Sequence, residues 1–364
     1  MDAFHLVPYT SPDFAQPRFT KAPPARFAPA PADGVAPDGY HAMSIFPEYF
    51  KLASGWQLAA ESRMDCVAVL VDGMLHVREF RNLRKGDPVA VGRSEQAEEG
   101  IFVHADGFRR EGTASGDAFA FRQGRSRETA YSRDYDHLYE LLRHEREHGH
   151  ITWVLGPACA FDADARNAFT RLVRAGYVHS LLAGNALAVH DLEGAWLNTA
   201  LGQDIYTQQN QPNGHYNHLD TINRVRRYGS IPAFIAGERL EGGIICSCVE
   251  KRVPFVLVGS VRDDGPLPEV HANVYEGQDA MRAYTRQATT VLCLATALHT
   301  IATGNMTPSF RVLPDGTVRE VHFYTVDISE FAVNKLADRG SLSARGIVTN
   351  IQDFVVTLSK GLGA

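Results

Sequence analysis

The residues best suited to acid–base chemistry in this sequence are two histidines in a polar segment. His215 and His218 lie three positions apart, so both would face the same side if the segment were helical. Histidine titrates near neutral pH and can accept or pass on a proton. A metal site would need further ligands, and none is obvious nearby. Because asparagines surround the pair, we predict contact with an amino-acid substrate, and a solvated surface position is the alternative. The asparagines are Asn213, Asn217 and Asn223.

Two adjacent acids, Asp263 and Asp264, are a second candidate for proton transfer. Neighbouring carboxylates raise each other's proton affinity, which is a common way to hold a general base near its working pH. The alternative is a turn stabilised by the aspartate side chains, which is frequent in Asp-Asp-Gly sequences. The residues alone leave both interpretations open.

Six apolar runs in the second half of the chain are predicted to be the strands that position these groups. Helix-like segments separate most of them, and an amphipathic helix is predicted over residues 135–148 before the first run. Apolar runs that alternate with helices indicate a parallel sheet covered on both faces. The runs are residues 151–155, 178–183, 253–258, 290–295, 321–326 and 346–349.

Small or polar residues follow five of these runs, where a parallel sheet binds its ligands. Glycine in such a turn lets backbone N–H groups approach a phosphate, and the next helix N-terminus favours the anion. The Gly-x-Gly-x-x-Gly fingerprint of ordinary dinucleotide sites is absent. Several glycine turns at one sheet edge nevertheless favour a nucleotide cofactor. The candidate cofactor-binding residues are Gly156, Pro157, Gly184, Asn185, Ala186, Ser260, Thr296, His299, Gly304, Asn305 and Met306.

Asp327 ends the fifth apolar run and is a candidate for the ribose of such a cofactor. An acidic side chain at that position accepts hydrogen bonds from the ribose 2′- and 3′-hydroxyls, which would favour NAD over NADP. The alternative is an N-cap for the following helix. We favour the ribose role because of the position at the strand end.

The first third of the chain differs in composition from the rest. Residues 1–43 are rich in proline and alanine and predict an extended arm. Its aromatic side chains suggest packing on its own body or on a neighbouring subunit, and disorder is the alternative. Residues 44–125 predict a small β-rich domain, since Asp-Gly pairs such as Asp72-Gly73 separate short apolar runs. Those runs are residues 66–71, 75–77, 88–91 and 100–103.

The length, net charge, apolar stretches and cysteine count of the chain argue against several classes of protein. A chain of 364 residues predicts more than one domain, and a net charge of −6 without a basic stripe argues against nucleic acid as a partner. No apolar stretch reaches the ~20 residues of a membrane span, so we expect no membrane partner and a cytoplasmic location. The five cysteines suit a reducing compartment. Cys246 and Cys248 lack a second cysteine pair, so we expect no metal.

Five segments of the sequence resemble the alternative ornithine cyclodeaminases. That family is also known as the conserved domain of bifunctional lysine-ketoglutarate reductase/saccharopine dehydrogenase proteins and as the C-terminal half of arginine dihydrolase/ornithine cyclodeaminase fusions. The resemblance runs from about residue 60 to the C-terminus. It rests on residues 181–191, 214–223, 253–268, 304–308 and 335–341, which include Ala-Gly-Asn-Ala, Gly-His-x-x-His, Asp-Asp-Gly-Pro-Leu-Pro, Gly-Asn-Met-x-Pro and Leu-Ala-Asp-Arg-Gly-Ser.

The resemblance implies a β-rich N-terminal domain and, over residues 126–364, a Rossmann-like NAD domain related to deoxyhypusine synthase. It also implies an ammonia-lyase that turns L-ornithine into L-proline with tightly held NAD. On this hypothesis Asp264 is the base, His215 and His218 orient the amino acid, and the enzyme is a homo-oligomer. The family often has a further histidine where Asn217 stands, and the proline-rich arm and the missing dihydrolase domain also depart from its relatives. The alternatives are therefore oxidation or condensation of a different amine or guanidino amino acid, and a non-catalytic NAD-binding scaffold.

Overall fold

The computed structural model describes residues 5–108, 132–261, 266–330, 332–333 and 341–364. The chain divides into two compact units, each built from more than one stretch of sequence. The first unit comprises residues 1–121, 305–322 and 340–343, and the second comprises residues 122–304, 323–339 and 344–364. The boundaries drawn from sequence at residues 43 and 125 stay a prediction.

The first unit is made of antiparallel sheets, as the sequence predicts. Its four-stranded sheet has the order β1-β6-β4-β5, its three-stranded sheet has the order β3-β2-β7, and every pairing within them is antiparallel. The elements in chain order are α1 (Pro17–Thr20), β1 (Arg26–Pro29), β2 (Glu48–Leu52), β3 (Gly55–Leu58), β4 (Cys66–Val71), β5 (Met74–Glu79), β6 (Pro88–Val91) and β7 (Ile101–Val103).

The Asp-Gly signal for a hairpin is confirmed between β4 and β5. Val71 pairs with Met74, so Asp72 and Gly73 form a two-residue loop. Both loop residues have positive φ, 51° and 77°. This is the backbone that a type I′ turn requires, and Asp-Gly adopts it at little cost.

The proline-rich arm packs on its own unit. Phe19 is fully buried and meets the rings of Phe14, Trp56 and Phe102 at centroid distances of 5.1, 5.5 and 4.8 Å. The expectation of a wholly extended arm is wrong over Pro17–Thr20, which form one helical turn. Proline is tolerated there because the first helical N–H has no intrahelical partner to lose.

The second unit carries a seven-stranded sheet with the order β13-β12-β9-β8-β14-β17-β18. The pairings from β13 through β12, β9 and β8 to β14 are parallel. The elements from residue 132 onward are α2 (Ser132–His148), β8 (Ile151–Leu155), α3 (Ala163–Arg174), β9 (Ser180–Gly184), α4 (Asn185–Leu197), β10 (Thr199–Ala200), β11 (Gln203–Asp204), α5 (Asn217–Tyr228), α6 (Ile231–Glu238), α7 (Ile244–Lys251), β12 (Phe255–Val258), β13 (Val270–His271), α8 (Val274–Thr285), β14 (Thr290–Leu294), α9 (Ala297–Met306), β15 (Phe310–Val312), β16 (Val318–Glu320), β17 (His322–Asp327), β18 (Ser343–Val348) and α10 (Ile351–Leu362).

The predicted α/β class, with a small β-rich N-terminal region and a Rossmann-like parallel sheet, is confirmed. Each of the six predicted apolar runs contains or overlaps a strand of the seven-stranded sheet. All five residues of β8 are buried, as expected for a strand covered on both faces. Within the described ranges, no helix combines the length and the apolar character that crossing a bilayer would require.

Candidate functional site

The strand order of the second unit creates a crevice between β8 and β14. From β8 the chain adds β9, β12 and β13 on one side of the sheet and returns to place β14, β17 and β18 on the other. The connections that follow β8 and β14 therefore leave in opposite directions. Ligands of open α/β sheets bind at the carboxyl ends of the strands at such a switch point.

Gly156 lies at this switch point, directly after β8. Its N–H donates to the carbonyl oxygen of Leu294 at 2.8 Å. A Cβ at position 156 would lie 2.0 Å from the carbonyl oxygen of Ala295, so only glycine fits. Ala295 itself has a φ of 52°, a left-handed conformation that costs a non-glycine residue about 1 kcal/mol or more. Pro157 begins a 3₁₀ turn that ends at Ala160.

The N-terminus of α4 lies beside the crevice, at the end of β9. Gly184 precedes the helix, and in the described structure no side chain caps its first turn. A Cβ at position 184 would lie 3.0 Å from the ring of His299. Asn185 is buried, and its side-chain oxygen accepts a hydrogen bond from the N–H of Leu267 at 3.0 Å. Asn185 thus holds the backbone at Leu267, between β12 and β13. Ala186 is half-buried in the first turn of α4.

The candidates after β14 divide into two groups. Thr296 and His299 lie at the start of α9, with Thr296 Oγ1 3.1 Å from His299 Nδ1. Gly304, Asn305 and Met306 were expected in a turn, and that expectation is wrong, because they form the last turn of α9. At a rise of about 1.5 Å per residue they lie about 10–14 Å along the helix from its start. A cofactor role for these three residues stays a prediction.

Asp327 is half-buried at the end of β17, and its carboxylate accepts a hydrogen bond from Ser329 N at 2.8 Å. Ser329 Oγ in turn accepts from Ala332 N at 3.3 Å, so Ser329 occupies the capping position that sequence assigned to Asp327 as its alternative role. The ribose role of Asp327 stays a prediction, as does that of the half-buried Ser260 after β12. Asp263 and Asp264 lie outside the described residues.

The histidine segment is held against the body of the second unit by two glycines. A Cβ on Gly202 would lie 2.4 Å from the backbone of Gly214, and a Cβ on Gly214 would lie 2.3 Å from the carbonyl oxygen of Gly202. The two backbones are therefore in direct contact. This contact sets the position of the 3₁₀ turn Gly214–Tyr216, from which α5 continues.

The two predicted histidines have different surroundings. His218, in the first turn of α5, is half-buried and its ring centroid is 6.3 Å from that of His190 on α4. Its Nδ1 is buried and has no hydrogen-bond partner among the described residues. His215 is exposed, with its ring 4.3 Å from that of Tyr216. The structure therefore brings His218 together with His190 and leaves His215 at the surface.

The three predicted asparagines also separate. Asn217 is half-buried, and its amide nitrogen donates to Thr199 Oγ1 at 2.9 Å. Asn213 and Asn223 are exposed. Only Asn217 thus belongs to the polar cluster around His190 and His218.

A fully buried carboxylate, Glu193, lies behind this cluster and was not singled out from the sequence. It accepts hydrogen bonds from Thr199 Oγ1 at 2.7 Å, from the N–H groups of Gly202 and Leu201 at 3.0 and 3.1 Å, and lies 3.2 Å from His190 Nδ1. The one sequence signal was the spacing of His190 and Glu193, which are three apart on one helix. Its hydroxyl and backbone donors come from the turn after α4.

Asp191, the neighbour of His190, has a structural role. Its buried carboxylate pairs with Arg166 Nε at 2.7 Å and accepts from the N–H groups of Ile244 and Ile245 at 2.9 and 2.7 Å. It therefore caps α7 and balances the charge of a buried arginine. With these partners it joins α3, α4 and α7.

The cysteines of the second unit are buried free thiols. Burial raises the pKa of Cys246 to about 12, and it raises the pKa of Cys248 further. Metal ligation needs the thiolate, which a raised pKa disfavours. Within the described ranges, no cluster of three or more His, Cys, Asp or Glu side chains is arranged to hold a metal ion.

Comparisons with known proteins match nearly the whole chain. A sequence profile described as arginine dihydrolase ArgZ-like, C-terminal, Rossmann fold, matches residues 137–358. An ornithine cyclodeaminase from Methanocaldococcus jannaschii is 36% identical over 343 residues, which are 92% of this chain and 77% of the relative.

Solved structures match over the same extent. A conserved LOR/SDH protein from Methanococcus maripaludis S2 has a TM-score of 0.84 and 32% identity, covering 94% of this chain and 98% of that one. The ternary complex of AgrE with ornithine and NAD+ has a TM-score of 0.57 and 30% identity, covering 94% of this chain and 46% of that one. The fold described above is thus shared with both.

Proposed function

Because this chain belongs to the ArgZ-like C-terminal family of Rossmann-fold proteins, we propose that it is an NAD-dependent cyclodeaminase. The substrate is L-ornithine or a close diamino acid, and the products are a cyclic imino acid such as L-proline and ammonia. The family resemblance inferred from the five sequence segments is confirmed. The reaction and its substrate are our proposal, and they are supported by relatives named ornithine cyclodeaminase and by the AgrE complex with ornithine and NAD+.

The observation that carries the proposal is the pair of glycine turns at the switch point. A Cβ at position 156 would meet the backbone of Ala295 and one at position 184 the ring of His299, so both turns are closely packed. Gly184 provides no side chain to cap the first turn of α4, whose backbone N–H groups face the crevice side of the strand end. Such a surface suits the pyrophosphate of a dinucleotide. We assign the phosphates to the start of α4 at Gly184 and Ala186 and to Ser260, and the ribose to Asp327. Gly156 and Pro157 would border the dinucleotide without donating to it, because the Gly156 N–H already donates to Leu294 and proline has no N–H. Thr296 and His299 lie near enough to Gly184 to border the same space.

NAD, when bound, supplies a hydride acceptor that gives the hydride back, so that the reaction has no net oxidation. The residues of the chain must hold the substrate Cα at the crevice and accept a proton from the α-ammonium group. Loss of that proton and of the hydride from Cα leaves a C=N bond at Cα. The δ-amine of ornithine, after losing its own proton, attacks this carbon within the same molecule and forms a new C–N bond. The α-nitrogen takes up a proton and leaves as ammonia, and the hydride returns to Cα of the cyclic imine. Intramolecular attack has a large advantage in effective concentration once the side chain of the substrate is bent so that its δ-amine lies near Cα.

The proposal is tested by incubating the purified protein with L-ornithine and substoichiometric NAD. We expect proline and ammonia in equal amounts, in excess of the NAD present, with no accumulation of NADH. NADH formed in proportion to the substrate consumed would instead indicate oxidation or condensation of an amine. If calorimetry shows that NAD binds but no ornithine, lysine or arginine analogue is consumed, the cyclodeaminase proposal is wrong and a binding role replaces it.

A further inference from the structure

The hydrogen bonds around Glu193 determine which nitrogen of His190 carries a proton. Three donors converge on the carboxylate, namely the hydroxyl of Thr199 and the backbone N–H groups of Leu201 and Gly202. A carboxylate that receives these bonds is an acceptor, so the fourth contact, at 3.2 Å from His190 Nδ1, requires that Nδ1 donate. The neutral imidazole then has its lone pair on Nε2. Glu193 is fully buried, and so this arrangement is shielded from water.

The imidazole rings of His190 and His218 lie near each other in this part of the second unit. In the described chain no side chain or backbone group hydrogen-bonds His190 Nε2, and the buried Nδ1 of His218 likewise has no partner. The two rings are 6.3 Å apart between centroids, with Phe161 on the other side of His190 at 5.5 Å. A buried polar atom without a partner, such as His218 Nδ1, costs free energy in the absence of a ligand, which makes it a candidate for binding one.

We propose that His190 is the proton acceptor for the substrate's α-ammonium group, and that Glu193 is the residue that holds it in the reactive tautomer. This inference rests on the proposed function for the identity of the substrate. In the step, an N–H bond of the α-ammonium group breaks and the proton passes to His190 Nε2. The electron pair of that bond stays on the α-nitrogen, which is then neutral and able to form the C=N bond at Cα. The imidazolium that results faces the carboxylate of Glu193, which stabilises its charge.

The same carboxylate orients a second group of the site. Thr199 donates to Glu193 and accepts from the amide of Asn217, so the side chain of Asn217 has a defined direction. Glu193 therefore positions His190 directly and Asn217 through Thr199. His218 lacks such a partner in the described structure, and this is why we assign the proton transfer to His190 and substrate contact to His218.

The variant His190→Asn separates this role from a structural one. The asparagine amide nitrogen takes the place of Nδ1 and can still donate to Glu193, while the position of Nε2 is left empty. The matched control is His179→Asn, a half-buried histidine of the same unit whose Nδ1 accepts from Ile151 N at 2.9 Å. We expect His190→Asn to keep the Tm and NAD affinity of the wild type and to lose kcat by about 100-fold or more. His179→Asn should keep kcat.

A retained kcat in His190→Asn, within about tenfold of wild type, would overturn the proposal, because a general base contributes about 100-fold or more. An equal loss of kcat in both variants would overturn it as well, since the effect would then follow from stability. A rise in KM with kcat unchanged would assign His190 to substrate binding and would likewise contradict the proton transfer.

A second measurement does not depend on activity. Imidazole ¹⁵N spectra of the wild type and of His190→Asn identify the His190 signals by difference. We expect a protonated Nδ1 and an unprotonated Nε2. If Nε2 carries the proton, this inference is wrong whatever the substrate is. If the tautomer is as expected but ornithine is not converted, the proposed substrate fails and the assigned base stands for another amine.

Discussion

Histidines lie near both ends of the seven-stranded sheet, and two at the amino end differ from His190 in how the described structure holds their rings. At the amino end, His150 and His179 precede β8 and β9. His150 Nε2 lies 3.1 Å from Ser180 Oγ, and His179 Nδ1 accepts from a strand N–H. Burial lowers the pKa of His179, which keeps its ring neutral for that role.

On the helix that leaves the carboxyl end of β9, the pattern is reversed. His190 is fixed through one nitrogen by Glu193, and the other nitrogen has no partner in the described structure. The comparison teaches that the residue type alone does not mark a site. His179 braces a strand end through hydrogen bonds with Ile151 N and with the backbone of Arg146, whereas His190 is held by Glu193 through Nδ1 and has Nε2 left for a ligand.

The largest expected contrast is between the two glycines that flank β8. In Gly156→Ala the new methyl group would lie 2.0 Å from the backbone oxygen of Ala295, which cannot move without shifting β14. In Gly149→Ala the methyl group would meet the carboxylate of Glu145, also at 2.0 Å, at the amino end. We expect overpacking to cost each variant about 1–3 kcal/mol of unfolding free energy.

Only Gly156→Ala should also weaken NAD binding, by at least about tenfold, which is ~1.4 kcal/mol. Titration calorimetry of the two variants at a temperature where both are folded provides the measurement. Equal NAD affinities in the two variants would remove the crevice between β8 and β14 as the cofactor site.

A smaller contrast is expected between two buried carboxylates. Glu193 on α4 receives hydrogen bonds from one hydroxyl and two backbone N–H groups, whereas Glu145 on α2 accepts from Thr289 and lies 3.2 Å from His144 Nδ1. A glutamine at 193 offers one acceptor oxygen to several donors and must leave at least one buried donor unsatisfied, at about 1–3 kcal/mol.

Denaturant unfolding should therefore show a greater loss for Glu193→Gln than for Glu145→Gln. The conversion of ornithine should fall in Glu193→Gln and stay near wild type in Glu145→Gln once both are compared in the folded state. If the two variants lose activity alike, the difference between the two ends of the sheet has no functional meaning.

The fold was largely predictable from sequence because its strands are buried on both faces. The run Ile151–Leu155 is apolar throughout, and it forms β8 with those bounds. Strand β13 was missed, because it has two residues and pairs only at the sheet edge, through Val270 and His271. Gly304 and Asn305 were placed in the turn that follows the fourth apolar run, but α9 continues through them to Met306.

The candidate site was less predictable, because its organisation depends on groups brought together by the fold. The histidine and asparagine cluster was found from composition, but His215, Asn213 and Asn223 are exposed and only His218 and Asn217 join it. Nothing in the sequence shows that the backbone N–H groups after α4 converge on Glu193. Long-range contacts of this kind decide which of several similar side chains is held in place, and a linear pattern does not contain them.

The smallest expected effect is a pH dependence at the amino end of the sheet. The folded pKa of His179 lies below its ordinary value of 6.5 because burial disfavours the charged ring. Above pH 6.5 both folded and unfolded forms are neutral, and the contribution of this histidine to stability is fully present. As the pH falls from 6.5 through the folded pKa, the unfolded chain takes up the proton first, so that contribution is lost. Urea unfolding of the wild type and of His179→Asn across this interval should show a steeper decline in the wild type, while above pH 7 the two unfolding free energies should no longer differ in their pH dependence. A parallel decline in the two proteins would mean that His179 is not the titrating group. The contrast between His179 and His190 would then not be supported by the pH dependence of stability.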